Sequence, residues 1–271
     1  AEIIIVRTTG DQVTTIALPQ VGGKGLFTKE IEEALLEGRA DLAVHSLKDL
    51  PTELDPRLTL AAVPVREDVR DALVGRRLAD LAAGARVGTS SLRRAAQLRH
   101  LRPDLQVENI RGNVDTRLRK LDEGRYEAVL LAAAGLRRLG LAERIAELLD
   151  TEVMCPAVGQ GALAIQCRSN DPEVLRQVAA LEDPAARTEV TAERALLAEL
   201  GGGCQVPIGG VARRDGDRLC LAAMVASPDG GRVVKLSREG AASDPAGLGR
   251  LVARELLERG AAEILQQAPA P

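Results

Sequence analysis

The sequence predicts an α/β fold of two lobes followed by a small α+β unit. Two observations carry this. Short apolar runs alternate with helical periods from the start of the chain to about residue 155, and from about residue 184 a helix precedes three successive strand candidates and a closing helix. Alternating strands and helices indicate largely parallel sheets covered on both faces, whereas consecutive strands with a covering helix indicate an antiparallel sheet.

The first lobe spans residues 1–64 together with 162–179. A strand candidate, Glu2 to Thr8, leads into the glycine-rich loop Val21-Gly22-Gly23-Lys24-Gly25. A helix follows from Thr28 to Glu37, with Ile31, Ala34 and Leu35 at helical spacing, Thr28 as N-cap and Gly38 just past the end. Asp41 to His45 reads as a strand ending in the polar turn Ser46–Pro51, and Leu58 to Val63 as another. Residues 162–167 form a buried strand expected to rejoin this first sheet.

The second lobe spans 68–155. Its strands are expected at Ala85–Gly88, Leu105–Asn109 and Ala128–Ala132, with helices at Ser91–His100 and Val114–Glu123. The third unit spans 184–271: a helix at Ala185–Glu199, strands at Val206–Ala212, Arg218–Ala226 and Arg232–Arg238, and a last helix from Asp244 to Gln266.

Composition bounds the function. Hydrophobic residues are 45% and charged residues 28%, the balance of a globular protein, and no apolar run approaches a bilayer span. Ala1–Val6 carries neither a basic leader nor a small-residue cleavage site, so the expected location is the cytoplasm. The net charge of −3, one Phe, one Tyr and no Trp argue against a nucleic-acid partner. Within Arg86–Arg138, however, twelve Lys and Arg stand against six Asp and Glu, which marks a solvated face or an anion site. Cys155, Cys167, Cys204 and Cys220 form no C-x-x-C pair, and His45 and His100 read as structural, so no metal is expected.

Three kinds of feature could carry chemistry. In Gly201-Gly202-Gly203-Cys204-Gln205-Val206-Pro207, three glycines leave one thiol unshielded, and spacing alone divides evenly between a reactive thiol and a plain turn. Lys48 and Asp49 sit where a strand ends, the usual place for a ligand in open α/β sheets; the alternative is a surface turn with a salt bridge. Gly88–Arg94, with Thr89, Ser90, Ser91, Arg93 and Arg94, opens a helix whose free N–H groups favour an anion. Arg111-Gly112-Asn113 repeats this with Arg117 one turn on, and Gly135–Arg138 again, implying several carboxylates or phosphates held together. Arg99, Arg102, Arg119 and Arg125 read instead as solvated. Phe27 would either stack on a flat ligand or seed the core.

Together these segments resemble the porphobilinogen deaminase (hydroxymethylbilane synthase) family. The matches run in order: Val21–Phe27, Ala43–Pro51, Arg66–Ala72, Gly88–Arg94, Arg111–Asn113, Pro156–Gly161 and Gly202–Pro207. The resemblance implies two periplasmic-binding-protein-like (type II) domains plus a small α+β C-terminal domain. It implies a transferase that joins four porphobilinogen molecules, with loss of ammonia, into hydroxymethylbilane for tetrapyrrole and haem biosynthesis. A dipyrromethane cofactor would be attached covalently to Cys204. Asp49, with Lys48, would serve catalysis, assisting deamination and stabilising the cationic azafulvene. Ser46, Lys48, Thr89, Ser91, Arg93, Arg94, Arg111, Arg117 and Arg138 would hold acetate and propionate groups, and Lys24, Phe27 and Gln160 would contact substrate or form a lid. A monomer is expected.

Two departures stand out. The R-x-x-[ST]-R-x-S-x-L-A strand and helix that usually open the family are not found in these residues, and Gln20 stands where a Lys is common. The first departure keeps open a different class of function, a non-catalytic polycarboxylate-binding protein on the same two-lobe cleft.

Overall fold

A computed structural model describes residues 2–6, 8, 28–201 and 207–267. Three sheets organise them. In the first, β1 (Leu42–Ser46) and β2 (Leu58–Ala62) flank the later strand β8 (Leu163–Arg168). Residues 162–167 thus rejoin the first sheet, as the apolar run predicted, with both neighbours antiparallel. Helix α1 (Lys29–Leu36) packs Leu35 against Ala43 and Leu58. Thr28 is its N-cap by position, but its hydroxyl makes no cap bond; Gly38 follows the helix at φ 72°, in the left-handed region expected past a helix end.

The second sheet has the order β5-β4-β6-β3-β7. Its members are β3 (Asp71–Val74), β4 (Arg86–Gly88), β5 (Gln106–Glu108), β6 (Ala128–Ala132) and β7 (Ile145–Leu149). Helices α2 (Leu92–Leu101), α3 (Val114–Asp122) and α4 (Ala133–Arg138) connect them. Apolar side chains fill both faces: Leu73, Val87, Leu98 and Leu130 on one, Val74, Ile110, Val129 and Leu136 on the other. Ser91 and Asn113 cap α2 and α3, accepting from the amides of Arg94 and Thr116.

The expectation of largely parallel sheets holds only for β5, β4 and β6. β3 pairs antiparallel with both β6 and β7, and β8 with both β1 and β2. The reason is topological. β3 and β8 each follow a segment that crosses from the other sheet, not a helix folding back over its own sheet. The constraint that makes β–α–β units parallel therefore does not act on them. The strand expected at Glu2–Thr8 is also corrected. Residues 2–6 have no regular structure, and Ile3 and Ile5 are 90% and 85% exposed, because no described strand offers them a ladder.

The third sheet is an antiparallel meander, β11-β10-β9, made of β9 (Ile208–Asp215), β10 (Arg218–Ala226) and β11 (Val233–Ala241). After α5 (Pro172–Val178), helix α6 (Pro184–Glu199) leads into this unit, and α7 (Pro245–Leu256) covers the sheet. Each of these helices begins Asp-Pro, with the carboxylate capping the first turn and proline at the first helical position. The last helix is not continuous to Gln266. Gly260 at φ 100° breaks it, and α8 (Ala262–Gln267) resumes beyond.

Two crossing segments join the first and second sheets, and they touch. Glu67 N–H donates to Gly161 O (3.2 Å), and Arg66 Nε to Gln160 O (3.0 Å). Gly161 sits at φ 86°, where an added Cβ would lie 2.3 Å from Glu67 O. Only glycine allows the two crossings to approach this closely. Below them, Glu193 of α6 is fully buried and accepts from Arg66 Nη1 (2.7 Å), Gly159 N (2.7 Å) and Ala212 N (2.8 Å). One carboxylate thereby ties the crossings to the third sheet.

Candidate active site

The site grows from the ends of β1, β3 and β4. After β1 the chain tightens into a 3-10 turn, Leu47–Asp49. Leu47 and Leu50 point inward against Ala186 and Val190 of α6, which leaves Lys48 half-buried and Asp49 exposed. Burial pulls the Lys48 amine below its ordinary value; Asp49 opposes this, Arg94 reinforces it, and Asp71 and Arg93 act more weakly. Lys48 therefore lies within electrostatic reach of the second sheet's arginines.

Those arginines are ordered by a residue the sequence reading did not single out. Asp71, the first residue of β3, is fully buried. Its carboxylate accepts from Arg93 Nη1 (2.6 Å), Arg94 Nε (2.9 Å) and Gln160 Nε2 (2.9 Å). Burial alone would raise this carboxyl, but Arg93 and Arg94 together outweigh it and hold it far below the usual carboxylate range. Arg93 also donates to Cys155 O (2.6 Å), and Arg94 to Leu130 O and Gln160 Oε1 (both 3.3 Å). Both guanidinium groups are thus buried and bound to protein partners, although Arg93 Nε, like two atoms of Arg111, has no hydrogen-bond partner among the described residues. The signal in the sequence was the segment Arg66–Ala72, whose second Asp falls among charges that read as a loop.

Arg111 and Arg117 differ. Among the described residues Arg117 reaches only neutral oxygens, Gly112 O (2.7 Å) and Ser90 Oγ (3.2 Å). Burial, with Arg94 and Arg111 nearby, pushes it down to about 10. Arg111 has buried Nε and Nη2 atoms with no hydrogen-bond partner. Buried guanidinium donors without an acceptor are costly. Neighbouring guanidinium donors of this kind are chemically suited to an anion, and would fit the carboxylates of a pyrrole-based group.

The remaining candidates fall around this cluster. Thr89 is buried, and its hydroxyl accepts from Ser91 N–H (3.2 Å) at the start of α2. Gln160 is fully buried and spans Val69 O and Asp71, so it is part of the crossing. Arg138 donates to Gly161 O (2.7 Å), while its neighbour Arg137 is paired with Glu67 and Asp68. Ser46 ends β1 with an exposed side chain. Lys24, Phe27 and Cys204 lie outside the described residues. His45 is structural as expected, hydrogen-bonded to Gln166 Oε1 (2.9 Å), and His100 bonds Gly230 O (3.0 Å). Arg102, read as solvated, in fact anchors the carbonyls of Leu78 and Leu81. No group of His, Cys, Asp and Glu among the described residues could hold a metal ion, and no described helix is long and apolar enough to cross a membrane.

An α/β frame in which Lys48 and Asp49 lie within electrostatic reach of buried arginines is the kind of site suited to polycarboxylate ligands. Residues 1–176 match the family described as "Porphobilinogen deaminase, dipyromethane cofactor binding domain", and residues 187–258 the one described as "Porphobilinogen deaminase, C-terminal domain". The chain is 58% identical over 263 residues to the porphobilinogen deaminase of Roseiflexus castenholzii, covering 96% of this chain and 86% of that one. It is 52% identical over 269 residues to that of Syntrophobacter fumaroxidans, covering 98% and 87%. Among solved structures it is similar to a Salmonella typhimurium periplasmic binding protein, at 16% identity and TM-score 0.34, covering 59% of this chain and 72% of that one. The chain belongs to the porphobilinogen deaminase family. Its reaction is the family's: a transferase reaction that joins four porphobilinogen molecules, with loss of ammonia, into hydroxymethylbilane on a dipyrromethane primer, in tetrapyrrole and haem biosynthesis.

Proposed function

We propose that Asp49 is the catalytic carboxylate of this reaction, that Lys48 assists it, and that the dipyrromethane is attached through Cys204. The observation that carries this reading is that Lys48 lies within electrostatic reach of Asp49, Arg94 and Arg93, while Arg117 lies within reach of Arg94 and Arg111. When bound, the dipyrromethane would supply the free pyrrole carbon onto which the first ring is joined, later rings adding at the growing end. Arg111 and Arg117 would take carboxylates directly, their donors being the least committed. Arg93, Arg94 and Gln160 would shape the site through Asp71, with Thr89 and Ser91 at the N-terminus of α2. Ser46 and Arg138 would act at its margins, and Lys24 and Phe27 would act on substrate from the glycine loop.

Asp49 sits exposed beside an amine held down in pKa. It would accept pyrrole N–H hydrogen bonds, stabilise the cation left when ammonia departs, and take the proton released when two rings join. Clustered cations would keep acetate and propionate groups ionised. Three domains would share the work: 1–64 with 162–179 carrying Asp49, 68–155 carrying the arginines, and 184–271 carrying Cys204. The protein would act as a cytoplasmic monomer without nucleic acid.

The test is Asp49→Asn, an isosteric loss of charge. Turnover should fall at least 100-fold, while the cofactor stays on Cys204 and the fold is unchanged by circular dichroism. Wild-type ammonia release by this variant would refute the assignment.

A further inference from the structure

Helix α6 carries a second charged residue beside Glu193, and its side chain goes elsewhere. Arg194 donates from Nη1 to Leu50 O (3.3 Å) and from Nη2 to Pro51 O (2.7 Å) and Thr52 O (3.0 Å). These are the three carbonyls that follow Asp49. They belong to the residues just past the 3-10 turn, beyond its internal bond from Leu50 N–H to Leu47 O. Burial lowers the Arg194 pKa, with Arg187 adding to the effect, and among the described residues no carboxylate pairs with it. The charge is spent wholly on one stretch of backbone.

That stretch is held to α6 twice. Leu47 and Leu50 are buried against Ala186 and Val190, an apolar seat without directional preference. The guanidinium adds direction, because its rigid planar fork can span successive carbonyls as a single ammonium cannot. The same helix ends at Glu199 and runs, through Gly201, into the segment bearing Cys204.

We propose that Arg194 is a positioning residue for Asp49: it fixes the turn carrying Lys48 and Asp49 to the helix that continues into the cofactor-bearing loop, and so sets the carboxylate against the growing end of the pyrrole chain. This rests on the assignment of Asp49 above. The apolar seat keeps the turn docked when the guanidinium is lost, so the Arg194→Met enzyme folds with its carboxylate misaligned.

The experiment is a double-mutant cycle on the holoenzyme with Arg194→Met, Asp49→Glu and the pair, together with Arg194→Lys and Asp49→Asn. Arg194→Met should lower kcat about 10- to 100-fold, the scale of a misplaced reacting group. KM should stay within about threefold and the mass on Cys204 should be unchanged, since kcat alone reports alignment in the reacting state. Arg194→Lys should recover part of the loss. In the Asp49→Glu background, where the carboxylate is already displaced, Arg194→Met should cost about threefold or less, because residues acting as one unit are not additive. A full, additive loss in that background would overturn the proposal, as would an unchanged kcat or a loss explained by incomplete cofactor loading. If Asp49→Asn is inactive while Arg194→Met is normal, only this proposal falls; if Asp49→Asn is active, the assignment of Asp49 falls and takes the proposal with it.

Discussion

Replacing Asp71 with Asn would keep the shape of the buried hub and remove its charge. Two guanidinium groups, 4% and 5% exposed, would lose the one carboxylate that pairs with them among the described residues, and the new amide N–H would point at donors. Breaking a buried ion pair from one side costs about 3–5 kcal/mol, because the remaining charge stays desolvated. For a chain of this size that corresponds to about 6–20 °C in Tm. The pH dependence gives a sharper check. The folded Asp71 carboxyl is held well below its unfolded value of about 3.9, so its contribution is complete above that pH and declines below it. The decline is about 1.4 kcal/mol per pH unit once both states are compared below the unfolded value. Guanidinium-chloride unfolding of both proteins at pH 7, 5 and 3 measures this. The gap should be constant from pH 7 to 5 and shrink by about 1 kcal/mol by pH 3. A gap below about 1 kcal/mol at pH 7, or one that widens in acid, would refute the account of the hub.

Two further predictions concern the crossing and the thiols. Gly161→Ala places a methyl group 2.3 Å from Glu67 O at a positive φ, whereas Gly38→Ala has a similar φ and open space. The second should cost about 1 kcal/mol and the first clearly more, with the difference read in Tm. Burial pushes the Cys155 thiol up to about 12 and also raises Cys167, while Cys220 is half-buried beside the Ser237 hydroxyl. An aromatic disulfide at pH 8 should find Cys220 alone in the folded protein, and Cys155, Cys167 and Cys220 after unfolding; a fourth reactive thiol would mean that Cys204 is free.

The parts of the fold that could be read in the sequence were those fixed by local periodicity and caps. β6 and β10 fall where the apolar runs placed them, and α2, α3 and α6 within a residue or two, because Ser91, Asn113 and the Asp183-Pro184 pair mark their starts. β7, Ile145-Ala-Glu-Leu-Leu149, escaped because its residues favour helix and only the pairing with β3 makes it a strand. β3 escaped because four residues after a charged loop carry no period. Strand direction was unreadable for a related reason: a fully buried apolar run looks the same in either direction, and the crossings decide it. The site divides similarly. Lys48, Asp49 and the arginine turns stand out by residue type and position. That Arg93 and Arg94 are committed to Asp71, while Arg111 is not, depends on contacts between residues over twenty positions apart.

On the proposal made here the product grows on a pyrrole cofactor held by Cys204. The mass of the proteolytic peptide containing Cys204, taken from freshly purified active enzyme, tests it most directly. That peptide should carry the added mass of two linked pyrrole rings, and the Cys204→Ser protein should lack both the adduct and turnover. An unmodified Cys204 peptide from enzyme that still forms hydroxymethylbilane would contradict it.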